Sequence, residues 1–239
     1  VNLSDLAAMG ATPHSILLAL SLPQIDHDWL KAFSRGLYDC CDQFGVSLIG
    51  GDTTQSPHLT ITVTALGWVD SGKALTRTGA KPGDLICVSG TVGDAAFALQ
   101  HLGHPLQKRL DYPTPRCQLG AALKGLANSM IDVSDGLAQD LGHILKGSSV
   151  GAILQLEDLP ISPALQALNH EKQWQYALAG GDDYELCFTI SPQHYVQLLE
   201  QQADINITRI GTITENQTLS LQYHGDEVML NLNGYQHFA

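Results

Sequence analysis

Four short stretches of the chain combine carboxylates with glycine or hydroxyl residues at the ends of apolar runs. They are Asn2-Leu3-Ser4-Asp5-Leu6, Gly50-Gly51-Asp52-Thr53-Thr54, Met130-Ile131-Asp132-Val133-Ser134-Asp135-Gly136-Leu137 and Gly180-Gly181-Asp182-Asp183-Tyr184-Glu185-Leu186. In the second, paired glycines let a ligand or a metal-bound phosphate approach the backbone. Its carboxylate and two hydroxyls are the hard oxygen donors that magnesium prefers. In the third, Asp132 and Asp135 bracket Ser134 where an apolar run enters a helix. With Ser134 as N-cap, backbone N–H groups would face a phosphate, and the two carboxylates would hold a cation against it. Each stretch also has an ordinary reading: a helix-start residue for Asp5, a tight turn at 50–54, simple capping at 132–135 and a polar turn at 180–184.

Basic residues are scarce, and two stand out, Arg77 and Arg116, whose planar forks of donors suit phosphate oxygens or an ion pair. Gly90-Thr91-Val92-Gly93-Asp94 sits between a strand and a helix but has neither dinucleotide-fold nor P-loop spacing. Many carboxylates near glycine-lined turns, without a P-loop lysine, point to metal-mediated handling of a polyphosphate. The formal charge, 12 − 24 = −12, excludes a phosphate-backbone binder, so no nucleic acid partner is expected. No apolar run approaches the roughly 20 residues of a membrane helix, and no leader pattern opens the chain, so a cytoplasmic protein without a membrane partner is expected. The five cysteines show no C-x-x-C spacing and sit mostly among apolar residues, which predicts reduced thiols.

The elements that must position these clusters follow from periodicity. Helical spacing predicts helices at 2–10, 29–44, 94–101, 117–127, 134–146 and 193–202. Apolar or alternating runs predict strands at 16–22, 46–49, 58–69, 85–89, 130–133, 152–156, 185–190 and 208–213, with two short strands before the end. The turn-rich segment 71–84 predicts a boundary between an N-terminal domain (1–75) and a C-terminal α/β domain (76–239). This alternation means α/β or α+β.

The motifs NLSDLAAMGA (2–11), LIGGDTT (48–54), LTRTGAKPGD (75–84), PTPR (113–116), MIDVSDGL (130–137) and GGDDYELCFT (180–189), with Gly234 to Phe238 at the end, resemble the thiamine-monophosphate kinase family. The resemblance implies a two-domain aminoimidazole-ribonucleotide-synthetase-like fold of mixed sheets with helices packed on them, and a homodimer joined through its N-terminal sheets. It implies ATP-dependent phosphorylation of thiamine monophosphate to thiamine diphosphate, by direct in-line transfer with several Mg²⁺ ions and no protein nucleophile. By motif match, Asp5, Asp52, Asp132 and Asp135 would be magnesium ligands. Gly51, Asp52, Arg77 and Ser134 would contact ATP, and Asp183 and Tyr235 the thiamine phosphate; Arg116 receives no role. Family members carry a further N-terminal segment with a Gly-Asp-Asp motif ahead of NLSDL, so the chain resembles a member truncated at its start. Asp182 stands where the family usually has Glu. The alternatives are another enzyme of the superfamily, of aminoimidazole ribonucleotide or selenophosphate synthetase type, or an inactive nucleotide- and metal-binding fragment.

Overall fold

The computed structural model describes residues 1–201 and 206–232. The N-terminal part runs α1 (Asn2–Ala8), β1 (Thr12–Leu22), α2 (His27–Phe44), β2 (Ser47–Gln55) and β3 (Thr60–Trp68). These strands form a sheet of order β2-β1-β3, with β1 parallel to β2 and antiparallel to β3. Helix α2 starts where the Asp26 carboxylate accepts the Asp28 and Trp29 amides, both at 3.0 Å, and stops at Gly45 in the left-handed region. Leu3, Ile16, Cys41 and Val46 make the small core between these elements.

The remainder runs β4 (Leu85–Ser89), α3 (Asp94–Gln100), α4 (Gln107–Asp111), α5 (Cys117–Ala122), β5 (Ala127–Asp132) and α6 (Leu137–Ser148). It continues with β6 (Gly151–Gln155), α7 (Pro163–Gln166), α8 (His170–Ala179), β7 (Leu186–Ile190), α9 (Pro192–Gln201), β8 (Ile207–Thr214), β9 (Leu219–Tyr223) and β10 (Asp226–Glu227). Its strands form one mixed sheet of order β10-β9-β6-β8-β4-β7-β5. Successive side chains of a strand point to opposite faces, and here both faces are covered. From β4, Ile86 and Val88 join Leu137, Leu141 and Ile144 of α6. Leu85 and Cys87 join Leu119 and Leu123 beside α5, and Ala7 of α1. That double cover explains why β4 and β7 read as continuous apolar runs rather than alternating ones.

The mixed α/β class is as expected, with local corrections, of which four bear on the clusters or their supports. The strand predicted to end before Gly50 continues through the glycines to Gln55, because residues 50–55 keep their pairing with β1. The helix after Asp132 begins at Leu137, three residues later than predicted. The helix predicted over 117–127 ends at Ala122, and Ala127 already belongs to β5. Helix α8 has a mixed polar and aromatic sequence without a clear apolar stripe, and periodicity does not reveal it. No helix among the described residues is long and apolar enough to cross a membrane.

Candidate functional site

Helix α1 projects Asp5 toward the loop that leaves β5. Asp5, Asp132, Ser134 and Asp135 line one open cleft of about 940 Å³. Asp182 and Tyr184 line the same cleft from the neighbouring loop, and Leu99, Lys172 and Tyr176 form its far wall. The two acidic loops are stitched together by backbone: Val133 N donates to Glu185 O at 2.8 Å, Tyr184 N to Val133 O at 2.8 Å, and Asp182 N to Ser134 O at 2.9 Å. A Cβ on Gly181 would overlap the Ser134 carbonyl, so glycine is what lets the loops close on each other. Asp182 and Tyr184 both lie in the left-handed region, at φ 66° and 51°, an uncommon conformation for side chains of this size. The Tyr184 hydroxyl donates to Asp182 Oδ1 at 3.1 Å.

Burial raises the Asp132 carboxyl above the usual carboxylate range, and the negative charge of Asp5 adds to the rise. Ser4 and the guanidinium of Arg77 pull it back. The Ser4 hydroxyl is fully buried beside the Asp132 carboxyl. Arg77 lines a smaller cavity of about 250 Å³ with Asp5 and Asp132, and so approaches the pair from the other side.

Ser134 is not an N-cap. The backbone amides of Ser134 and Asp135 both donate to Asp140 Oδ2, at 2.9 and 3.0 Å, and do not face outward for a phosphate. Asp140 is missed by periodicity because it stands inside α6, yet a carboxylate among Leu137, Leu141 and Ile144 at helical spacing is a signal for a buried acceptor. Burial pushes it up to about 6, with the two amides opposing. Asp140→Ala leaves both amides unpaired and is expected to cost about 2 kcal/mol, read as a lowered urea midpoint at neutral pH. An unchanged midpoint would show that solvent replaces the carboxylate at no cost.

Asp183 lies away from the cleft, about 1% exposed. Its carboxylate accepts Gly93 N at 2.6 Å and Ala95 N at 3.3 Å, holding the start of α3. Burial pushes it up to about 7, against those two amides and Arg109. The folded chain therefore keeps a proton that the unfolded chain, at the ordinary 3.8, gives up. This contribution makes stability fall as pH rises from about 4 to about 7. The stability gap between wild type and Asp183→Asn is expected to be wider at about pH 5 than at about pH 7, measured by urea unfolding. A gap that widens instead toward neutral pH contradicts the buried, proton-holding role.

Gly51 and Asp52 lie on β2, an edge strand, and do not line the cleft. A Cβ on Gly51 would overlap the Leu18 carbonyl of β1, so the close approach of the two strands requires glycine here (φ 148°). Asp52 is exposed and accepts its neighbour's amide, Thr53 N, at 2.9 Å. Tyr235 lies outside the described residues.

Arg116 forms a bidentate pair with the fully buried Glu185, Nε to Oε2 at 2.7 Å and Nη2 to Oε1 at 2.6 Å. Arg109 Nη2 reaches the same carboxylate at 2.9 Å, and Ser89 Oγ donates to it at 2.5 Å.

Among the described residues no three His, Cys, Asp or Glu side chains converge tightly enough to make a ready-built metal cage. The donor chemistry nevertheless fits magnesium, which takes one or two carboxylates and fills its remaining positions with water and phosphate oxygens. Asp5, Asp132 and Asp135 around one cleft, with the buried Ser4 hydroxyl beside Asp132, make such a hard-oxygen set.

This fold and cleft define a protein of the AIR synthase related class: the N-terminal domain of that class matches residues 1–69 and the C-terminal domain residues 81–224. The thiamine-monophosphate kinase of Escherichia coli (strain K12) is 46% identical, over 100% of this chain and 78% of that protein. The crystal structure of thiamine-monophosphate kinase from Stenotrophomonas maltophilia K279a superposes with a TM-score of 0.85 at 45% identity, covering 95% of this chain and 76% of that one. A structure described as AaThiL complexed with AMPPCP and TMP superposes with a TM-score of 0.83 at 28% identity, covering 99% and 77%. The chain belongs to the thiamine-monophosphate kinase family.

Proposed function

We propose that this chain transfers the terminal phosphoryl group of ATP to thiamine monophosphate, giving thiamine diphosphate. The observation that carries this reading is the convergence of Asp5, from the N-terminal part, with Asp132 and Asp135, from the C-terminal part, on one cleft. A relative with TM-score 0.83 carries an ATP analogue and TMP together, which supports both substrates. Asp5, Asp132 and Asp135 would hold magnesium, with Arg77 and Ser134 near the nucleotide's phosphates. Magnesium, when bound, neutralises charge on the polyphosphate. The chain's own residues bind and align the two substrates and exclude stray water, and the direct in-line route needs no protein nucleophile.

The family resemblance adds Asp52, Gly51 and Tyr235 to the ligand set. Asp183 enters this reading as an anchor for α3 and the cleft loop, not as a substrate contact. The division near residue 75 is supported by the gap between the two matched domains, residues 70–80. A homodimer is supported by the apolar side chains that the small sheet leaves exposed, among them Ile49, Ile61 and Trp68. Work in the cytoplasm accords with the free cysteines and with the absence of a membrane-length helix among the described residues. The test is incubation of the chain with ATP, Mg²⁺ and thiamine monophosphate and chromatography for thiamine diphosphate. No thiamine diphosphate formed under these conditions would sink the proposal.

A further inference from the structure

Two sequence motifs remain without a role in that reading, the Arg116 of the Pro-Thr-Pro-Arg run and the glycine loop 90–94. They meet at one place. Gly90 packs so closely on the Glu185 carboxylate that a Cβ there would overlap it. Thr91 O accepts Arg109 Nη2 at 3.3 Å, and Thr91 Oγ1 donates to Asp94 Oδ2 at 2.6 Å. Glu185 is thus enclosed by the 90–94 loop, by Ser89 and by two arginines from the connection between α3 and α5.

Glu185 also stands at a junction. Through its backbone carbonyl it holds Val133, the residue after Asp132. Through its side chain it holds Arg116, the residue immediately before α5. Arg116 O in turn accepts Gly120 N at 2.8 Å. Gly120 meets α1 without a side chain between them, since a Cβ there would overlap the Ala7 carbonyl. Cys117 Sγ lies 3.8 Å from Leu3 O on the same helix. One residue is therefore the common reference for both carboxylates, the buried Asp132 along the backbone and the exposed Asp5 through Arg116, α5 and α1.

We propose that Glu185 and Arg116 are positioning residues that set α1, and with it Asp5, against Asp132. An apolar pair of equal volume would keep this core as stable, but only the guanidinium fork fixes distance and angle together. The inference rests on the function proposed above for its link to nucleotide binding, and stands apart from it for the placement of α1.

The test is Arg116→Lys in the whole chain, which keeps the charge and removes the fork. Amides of Leu6 to Gly10 are expected to exchange with solvent about tenfold faster, while those of β4 and β7 stay as protected as before. Affinity for the magnesium complex of a non-hydrolysable ATP analogue, by calorimetry, is expected to fall about tenfold. The double variant Arg116→Lys/Asp5→Asn is expected to bind no worse than Asp5→Asn alone, because both changes act through one carboxylate. Unchanged exchange in α1, or losses that multiply, overturn the proposal. Glu185→Gln keeps the shape and carries the same readouts if the lysine variant does not fold. Should the wild-type chain bind no nucleotide, the proposed function falls, and the exchange readout alone still decides the placement of α1.

Discussion

Asp132→Asn is expected to lower the rate of phosphoryl transfer by about 10³-fold or more while leaving the fold intact. The side chain is about 6% exposed, and burial together with the nearby Asp5 already disfavours its ionised form. The chain therefore bears an electrostatic cost at this position, part of which Ser4 and Arg77 offset and the rest of which a bound cation would offset. Asparagine has the same shape and no charge, so it relieves that cost and discards the ligand. Thermal unfolding should leave Tm unchanged or raised, and steady-state assays should show kcat collapsing. A variant that keeps a tenth of wild-type turnover would remove Asp132 from the metal site. Loss of activity with a markedly lowered Tm would assign it to the core instead.

Glu185→Ala is the second large expectation, and its effect is on stability. It leaves Arg109 and Arg116 facing each other without their shared anion and strips Ser89 Oγ of its acceptor. Removing one partner of a buried ion pair costs about 3–5 kcal/mol, and the lower end applies because both arginine side chains keep roughly a quarter of their surface in water. For a chain of this size about 3 kcal/mol corresponds to roughly 6–12 °C in Tm. Glu185→Gln retains an acceptor and should lose about half as much or less. Equal losses in the two variants would mean that the carboxylate's charge contributes nothing.

The acidic cleft was legible because its residues are clustered in sequence: Asp132 and Asp135 fall within one apolar-to-helix transition, and Asp5 opens the first helix. The central strands were legible from unbroken apolar runs. What stayed hidden depends on contacts between distant segments. Asp183 and Asp182 are identical neighbours in sequence, yet one faces the amides of Gly93 and Ala95 and the other the cleft, decided by two left-handed backbone turns. Gly51 has a second reason to be glycine, the Leu18 carbonyl across the sheet, which no local pattern shows. Glu185 and Arg116 are 69 residues apart, and nothing local to either one announces the other. Asp140 shares its helix with buried leucines, and its partners are amides that no sequence pattern displays.

The small N-terminal sheet has both of its margins open, and its strands carry almost no charge. Asp52 is the single ionisable side chain of β2, and β3 has none. An uncharged, open strand invites a strand of another molecule to add to it. The charge of Asp52 would thus also oppose uncontrolled edge pairing beyond the proposed homodimer, independent of any ligand it holds. A variant such as Asp52→Asn, made to probe magnesium binding, is expected to clump at concentrations where the parent stays clear. Light scattering recorded beside its assay separates a lost ligand from lost soluble protein.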